Sequence, residues 1–275
     1  MAPMIPDVTA LMGEREFTLV RRLIAEYAGI KIGPQKRYMV HNRLTRRLRA
    51  RGMDSFSDYL NLVLDDVSGE REAFVNALTT NLTAFFREPH HFGLLRARAL
   101  IHRANERRPM RVWSSACSTG EEAWSIAMTL RDAECPAEVV GSDIDTDALD
   151  YANAGLYPQD RATSLTPAQL RAHWLRGVGD NHGWISVRPQ LRPMVSFMQL
   201  NLQAQRWPTM EPFDAIFCRN VVIYFDRDAQ RHLLTRFATV LRPKGLLAVG
   251  HAESFPASLA AFQPCGRTAY EFIPG

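Results

Sequence analysis

Beyond Arg111, short apolar runs with the character of buried strands alternate with longer stretches of helical periodicity. RVWSSA precedes EEAWSIAMTLRDA and AEVVGSDID, and later come MVSFMQLN, FDAIFCRN, a helix over about residues 227–241, and GLLAVGHAE. Strands that alternate with helices in this way are typical of a parallel sheet covered by helices on both faces. The sequence therefore predicts an α/β fold for the larger part of the chain.

The residues before Arg111 contain no strand-like run and carry helical periodicity instead. One predicted helix ends at Gly29, and a second extends over about residues 35–51. We therefore expect a small all-helical N-terminal domain over residues 1–80. The α/β domain then takes residues 81–275.

A segment within the α/β part interrupts the alternation of strands and helices. Thr166-Pro167 is a typical helix start, and GVGDNHG between HWLR and WISV is typical of a turn that joins two strands. The sequence thus predicts a small antiparallel β insertion over about residues 165–192.

Composition excludes several classes of protein. The first 15 residues lack a basic head followed by an apolar run, and no stretch approaches the roughly 20 apolar residues of a membrane span. The 4 cysteines are widely spaced without a C-x-x-C pair, which disfavours a zinc site and a disulfide scaffold and suits a reducing cytosol. A net charge of +4 is too small to indicate nucleic-acid binding. We expect a cytoplasmic protein without membrane insertion.

Polar residues follow the first predicted strand, where ligands bind in open parallel sheets. The small residues CSTG lead directly into a helix that begins with Glu121 and Glu122. A helix N-terminus suits a phosphate, but two carboxylates in the first turn oppose one. A cationic or zwitterionic ligand fits better, although Glu121 can equally serve only the helix dipole.

Two further strand ends carry polar residues. Asp143 follows Gly120 by 23 residues, near the interval at which an acidic side chain meets a ribose in dinucleotide-binding folds. The first loop lacks G-x-G-x-x-G, which favours a nucleoside without pyrophosphate, such as S-adenosylmethionine. Arg219 and Asn220 could form a solvated strand end, but they stand between two apolar runs, where polar groups usually need partners, a ligand among them.

Four motifs resemble one family of enzymes. NALTTNLTAFFRE (residues 76–88), ACSTGEE (116–122), GSDID (141–145) and FDAIFCRNVVIYFD (213–226) are similar to those of the bacterial chemotaxis receptor methyltransferases, called CheR. The similarity runs in order through nearly the whole chain as far as GHAESF. The combination of NLTAFFRE with FCRNV-x-IYF is specific to this family.

The resemblance implies a protein-glutamate O-methyltransferase with a class I, Rossmann-like domain. Such enzymes use S-adenosyl-L-methionine to form methyl esters on the cytoplasmic helices of methyl-accepting chemotaxis receptors, and release S-adenosyl-L-homocysteine. Near the transferred methyl the family points to Arg87 and Tyr224. The cofactor contacts implied by the motifs are Asn81, Thr83, Arg87, Glu122, Asp143, Asn201, Leu202, Arg219 and Asn220.

The second predicted helix carries a basic face, because no acidic residue occurs between Glu26 and Asp54. Its arginines are Arg43, Arg46, Arg47 and Arg49. A solvated face or a phosphate-binding face would look the same. For a CheR-like enzyme, the expected partner is an acidic receptor helix bundle. The predicted insertion resembles the β-subdomain with which some members bind a C-terminal tether peptide of the receptor by strand addition.

The chemistry implied by the resemblance agrees with the residues present. A glutamate side chain is ionised at neutral pH, so its methylation requires alignment and not a general base. The sequence offers no metal cluster or nucleophile–base set, and His90-His91 is interpreted as structural or solvated. Two alternatives stay open at this point: a methyltransferase for nucleic acids or small molecules, and a module that binds S-adenosylmethionine without turnover.

Overall fold

The structure is a computed structural model that describes residues 11–66, 68–253 and 261–274. Residues 1–10 of the expected helical domain lie outside the described residues. So do Ser254 and Phe255, which end the GHAESF motif.

The described residues before Thr79 form an all-helical unit. Its helices are α1 (Glu14–Ala28), α2 (Arg37–Arg51), α3 (Phe56–Asp65) and α4 (Glu70–Leu78). They bury one shared apolar core that includes Phe17, Ile24, Leu44, Tyr59 and Phe74. Burying such side chains contributes about 1.5–3 kcal/mol each, which holds together helices that would be marginal alone.

The ends of these helices follow from local chemistry. Gly29 ends α1 in the left-handed region at φ 69°, where glycine has no Cβ to clash. Ser55 caps α3 by accepting the backbone N–H of Asp58. α2 begins at Arg37 and not at Gln35 as predicted, because Pro34–Lys36 forms a separate 3₁₀ turn ahead of it.

The remaining described residues build a seven-stranded sheet flanked by helices, with a smaller sheet inserted. Its elements are α5 (His90–Asn105), β1 (Met110–Ser114), α6 (Glu121–Asp132), β2 (Ala137–Asp143), α7 (Thr146–Ala154), β3 (Leu156–Pro158), α8 (Pro167–His173), β4 (Trp174–Arg176), β5 (Trp184–Val187), β6 (Val195–Gln199), β7 (Phe213–Cys218), α9 (Arg227–Val240), β8 (Leu241–Val249), β9 (Phe262–Gly266) and β10 (Ala269–Phe272).

The strand order in the large sheet is β6-β2-β1-β7-β8-β10-β9. β6, β2, β1, β7 and β8 are parallel, whereas β10 and β9 add an antiparallel edge. The chain winds outward from β1 toward β2 and β6, then returns to β7 on the other side. This reversal opens a crevice at the carboxyl ends of β1 and β7, where ligands bind in such folds. The predicted α/β fold is confirmed.

The antiparallel insertion has three strands in the order β3-β5-β4. The turn between β4 and β5 agrees with the prediction. The first strand does not, because Leu156–Pro158 precedes residues 165–192, where the insertion was expected. β3 has only three residues and ends in proline, so its sequence shows almost no strand pattern. Only its pairing with β5 identifies it as a strand.

Within the described part of the chain, no helix is both long and apolar enough to cross a bilayer.

Candidate cofactor site

A cleft of about 980 Å³, open to solvent, lies at the carboxyl ends of β1, β2 and β7. The helical unit forms one wall through Ala28, Ile30 and Leu78, and the α/β unit forms the rest. Every residue that the sequence analysis singled out for the cofactor or the methyl lines this cleft: Asn81, Thr83, Arg87, Glu122, Asp143, Asn201, Leu202, Arg219, Asn220 and Tyr224. Motifs that lie up to 143 residues apart (224 − 81) thus meet in one place.

The cleft has a buried ion pair in its wall. Arg219 donates to Glu122 Oε2 over 2.9 Å, and Ser114 Oγ donates to Glu122 Oε1 over 2.6 Å. Both charged residues are at most 8% exposed. Burial raises the pKa of Glu122 above its ordinary value, and the guanidinium of Arg219 counteracts part of that rise. A carboxylate in this position favours a ligand that brings positive charge.

Asp143 lies at the end of β2 and accepts the backbone N–H groups of Ser118 at 2.7 Å and Asp145 at 3.1 Å. Burial raises the pKa of Asp143, while these N–H groups oppose the rise. Ser118 has a φ of 50°, which bends the CSTG loop toward the carboxylate. A carboxylate has about four lone-pair sites, so Asp143 keeps acceptor capacity for hydroxyl groups of a ligand.

The amides of Asn81 and Asn201 are used inside the protein. Asn81 Nδ2 donates to Asp145 at 2.7 Å, and its Oδ1 accepts from Ser118 at 3.1 Å. Asn201 Nδ2 donates over 2.7 Å to the carbonyl of Tyr27 in α1. Both side chains therefore shape the cleft, and Asn201 joins it to the helical unit.

Arg87 and Tyr224 lie in the wall as half-buried side chains. Arg87 Nη1 donates to the carbonyl of Leu82 at 3.0 Å. Its neighbours Phe86 and Glu88 both have positive φ, at 51° and 55°, an arrangement that costs energy and is common at functional sites. Both Arg87 and Tyr224 keep polar groups available to a ligand or substrate.

The two first-turn glutamates of α6 differ. Glu121 is fully buried outside the cleft wall, where it pairs with Arg161 at 2.9 Å and accepts from Thr119 at 2.7 Å. It joins α6 to the segment before α8. Only Glu122 lines the cleft.

The basic face of α2 does not present all four predicted arginines. Arg43 donates to the carbonyls of Leu78 and Thr79, and Arg47 donates two hydrogen bonds, at 2.9 and 3.0 Å, to the buried Glu70. These bonds hold α2 against α4, so Arg43 and Arg47 are engaged within the protein, and their contact with a partner stays a prediction. Glu70 stands 23 residues after Arg47, so helical periodicity gave no sign of the pair. Arg46 and Arg49 are exposed.

Sequence reasoning missed Asp145, which is 1% exposed. Its carboxylate caps α7 at Ala148 and accepts from Thr79 and Asn81 in the segment that links the two units. A signal was present, because Asp145 stands at the N-cap position of a helix in GSDID.

Glu88, His90 and His91 place three possible metal ligands within 4.8 Å of one another. Arg219 already lies 3.6 Å from Glu88 Oε2, so a second cation beside that oxygen meets repulsion. His91 Nε2 lies 3.0 Å from Thr268 Oγ1. Burial lowers the pKa of His91 to about 4, with help from the charge of Arg219. His91 fits the predicted structural interpretation.

The fold and the cleft define the class of enzyme. The sheet is Rossmann-like and mainly parallel, its second strand ends in an acidic residue without a pyrophosphate loop, and a buried carboxylate lies in the cleft. This combination is that of a class I S-adenosylmethionine-dependent methyltransferase. Residues 81–270 match the family model described as "CheR methyltransferase, SAM binding domain", and residues 15–79 match "CheR methyltransferase, all-alpha domain". The chain belongs to the CheR methyltransferase family, as the motifs predicted.

Curated relatives agree over nearly the full length. The chemotaxis protein methyltransferase of Escherichia coli (strain K12) is 47% identical over 264 residues, which are 94% of this chain and 91% of that protein. Chemotaxis protein methyltransferase 2 of Pseudomonas aeruginosa is 45% identical over 259 residues, 93% of this chain and 92% of that one. Among solved structures, an rRNA methyltransferase of Streptomyces viridochromogenes is 15% identical, and the match covers 70% of this chain and 87% of the other chain. The TM-score is 0.45, which is too low for the similarity to bear on the substrate. The predicted enzyme class and cofactor are confirmed.

Proposed function

We propose that this enzyme transfers the methyl group of S-adenosylmethionine to glutamate side chains on the cytoplasmic helices of chemotaxis receptors, and that it works in the cytoplasm. The observation that carries the proposal is one cleft that combines a buried carboxylate, Glu122, with a half-buried arginine, Arg87. The first suits the cofactor's positive groups and the second suits an incoming carboxylate.

The residues present fit the cofactor. Glu122 suits the ammonium group of its amino-acid part, and Asp143 suits the ribose hydroxyls. Arg219 keeps Glu122 oriented, because the two are bonded at 2.9 Å. Leu202 offers an apolar surface for the adenine. No donor set for a metal is needed by this chemistry.

The cofactor supplies a methyl group that its sulfonium has already activated. The protein's part is alignment, since the glutamate nucleophile is ionised at neutral pH and needs no base. Arg87 holds the carboxylate by a two-pronged hydrogen bond, and Tyr224 limits its approach beside the apolar Val221. Positioning of this kind contributes several kcal/mol to lowering a barrier. Apolar neighbours also exclude the water that would weaken the nucleophile.

The surface that we propose for receptor binding contains fewer arginines than the basic face predicted from the sequence. Arg46 and Arg49 are exposed on α2 and have no ion pair among the described residues. An acidic helix bundle is the partner that such a surface suits, by long-range attraction. Arg43 and Arg47 contribute indirectly, because their hydrogen bonds hold α2 against α4.

The small sheet supports a second contact, with a receptor tether peptide. β4 pairs with β5 on one side only, so its other edge is free among the described strands. Leu156 and Leu175 both pair opposite Ser186 and are 43% and 42% exposed, which gives this face an apolar surface. An extended peptide with apolar side chains can add to the β4 edge by backbone hydrogen bonds.

The decisive experiment supplies methyl-labelled S-adenosylmethionine with receptor cytoplasmic fragments that carry either the target glutamates or alanine in their place. We expect label on the glutamate fragment alone, released by mild base as a methyl ester must be. Base-stable label, or label on nucleic acid, would reject the proposal. Cofactor binding without label transfer would instead support a non-catalytic module.

A further inference from the structure

The turn that follows β8 contains a buried carboxylate that has no role in the proposed methyl transfer. Glu253 is 5% exposed. Its Oε2 accepts the backbone N–H groups of Asn220 at 2.9 Å and Gly250 at 2.7 Å, and its Oε1 accepts that of Val222 at 2.7 Å. A carboxylate that satisfies three backbone donors fixes the chain segments to which they belong.

The segment fixed in this way forms part of the cleft wall. Asn220 has a φ of 61°, in the left-handed region that residues with a side chain rarely adopt. Asn220 and Val221 both line the cleft, and Arg219 directly precedes them. Without Glu253, the N–H groups of Asn220 and Val222 would lose their acceptor, and the bend that turns Asn220 toward the cleft would lose its support.

The same turn also touches the other charged loop of the cleft. The backbone N–H and Nδ1 of His251 lie 3.3 and 3.1 Å from Glu88 Oε1. Glu88 follows Arg87, whose carbonyl accepts a hydrogen bond from Arg219. The turn over residues 250–253 therefore contacts both loops that carry the arginines of the cleft.

We propose that Glu253 is a positioning residue for cofactor binding, which acts by holding Asn220 and Val221 in the wall of the cleft. A glutamine cannot replace it, because its NH₂ group would face a backbone N–H where an oxygen now accepts. Gly250 belongs to the same arrangement, since a Cβ there would lie 2.5 Å from Asn220 Nδ2 and 2.8 Å from Glu253 Oε2. The inference rests on the use of S-adenosylmethionine and not on the identity of the methyl acceptor.

Binding of S-adenosyl-L-homocysteine by the whole protein, without receptor, tests the assignment by calorimetry. Glu253→Gln is compared with Asp214→Asn, a matched control. Asp214 accepts the backbone N–H of Arg111 at 2.8 Å and two bonds from Arg108, but it lies at the opposite end of β7 from the cleft. Both variants are measured at a temperature at which circular dichroism finds them folded.

We expect Glu253→Gln to raise the Kd about tenfold, the effect of losing one or two hydrogen bonds to a charged group, while Asp214→Asn changes it by less than about threefold. A Kd for Glu253→Gln that rises by less than about threefold overturns the assignment, as does an equal rise in the control. If Glu253→Gln does not fold, Gly250→Ala decides by the same criterion, because its methyl displaces Asn220 directly. Failure to methylate receptor glutamate would leave this result unaffected.

Discussion

Arg219 Nη1 lies 2.9 Å from Glu122 Oε2, and this buried pair joins the end of β7 to the first turn of α6. The other terminal nitrogen of Arg219 donates to the carbonyl of Arg87 and lies 3.6 Å from Glu88 Oε2. One guanidinium thus contacts the strand-end, helix-start and loop segments that form the cleft. Because the pair is shielded from water, removing Arg219 leaves Glu122 buried without a counter-charge, whereas removing Glu122 leaves Arg219 with only the more distant Glu88.

Glu122→Gln is expected to raise the Kd for S-adenosylmethionine by about tenfold or more, because it removes the carboxylate that suits the cofactor's ammonium group. Calorimetric titration measures the effect. Glu121→Gln is the control, since Glu121 is buried in an ion pair with Arg161 outside the cleft. It should lower stability and preserve the Kd. Equal losses of affinity in both variants would contradict the role given to Glu122.

Arg87→Ala is expected to lower kcat/KM for receptor about 100-fold, because the incoming carboxylate loses the group that orients it. Tyr224→Phe, which keeps the ring, should cost about tenfold if the hydroxyl contributes a hydrogen bond in the transition state. Transfer of labelled methyl to receptor fragments gives both values. Arg96→Ala, on the exposed side of α5, is the control and should leave the rate unchanged. Full activity of Arg87→Ala would remove that residue from the mechanism.

Arg46→Glu and Arg47→Ala should separate receptor binding from stability. Arg46 is exposed, so its reversal should raise the KM for receptor severalfold and leave the melting temperature unchanged, with an effect that weakens as salt is added. Arg47 is paired with Glu70, so its loss should lower the free energy of unfolding by about 2 kcal/mol. Receptor titrations and urea unfolding distinguish the two. A destabilised Arg46→Glu with an unchanged KM would refute the proposed surface.

The arginines of α2 show what could be predicted from the sequence and what could not. Periodicity placed Arg43, Arg46, Arg47 and Arg49 on one helix, and the structure contains that helix. Which of them remain available depends on Glu70 and on the carbonyls of Leu78 and Thr79, contacts that form only when α4 packs against α2. Pairing between distant segments leaves no local pattern, so no spacing rule could have separated Arg46 from Arg47.

The cleft was more predictable than the basic face, for a topological reason. Carboxyl ends of parallel strands lie at one edge of the sheet, so Asp143 at the end of β2 and Arg219 after β7 flank the end of β1 in the same cleft. Their bonding partners were not predictable. Asn81 and Asn201 line the cleft as expected, but their amides bind Asp145 and the carbonyl of Tyr27. Their individual roles toward the cofactor remain predictions.

His91 should make stability depend on pH, because burial lowers its pKa to about 4 from an ordinary value of 6.5. The unfolded chain then binds a proton more readily than the folded chain between these two values. Stability is therefore fully present above about pH 6.5 and is lost as the pH falls toward 4. For one such group, the free energy of unfolding falls by about 2 kcal/mol between pH 7 and pH 5.

Urea unfolding at pH 7 and pH 5 measures that fall in the wild-type protein, in His91→Gln and in His232→Gln. His91 faces Glu88, His90, Arg219 and the hydroxyl of Thr268. His91→Gln should be less stable at pH 7 but should lose about 2 kcal/mol less on acidification, because glutamine does not titrate. His232 is exposed on α9, so its replacement should keep the wild-type dependence. If His91→Gln retains the full loss on acidification, the dependence arises from other groups.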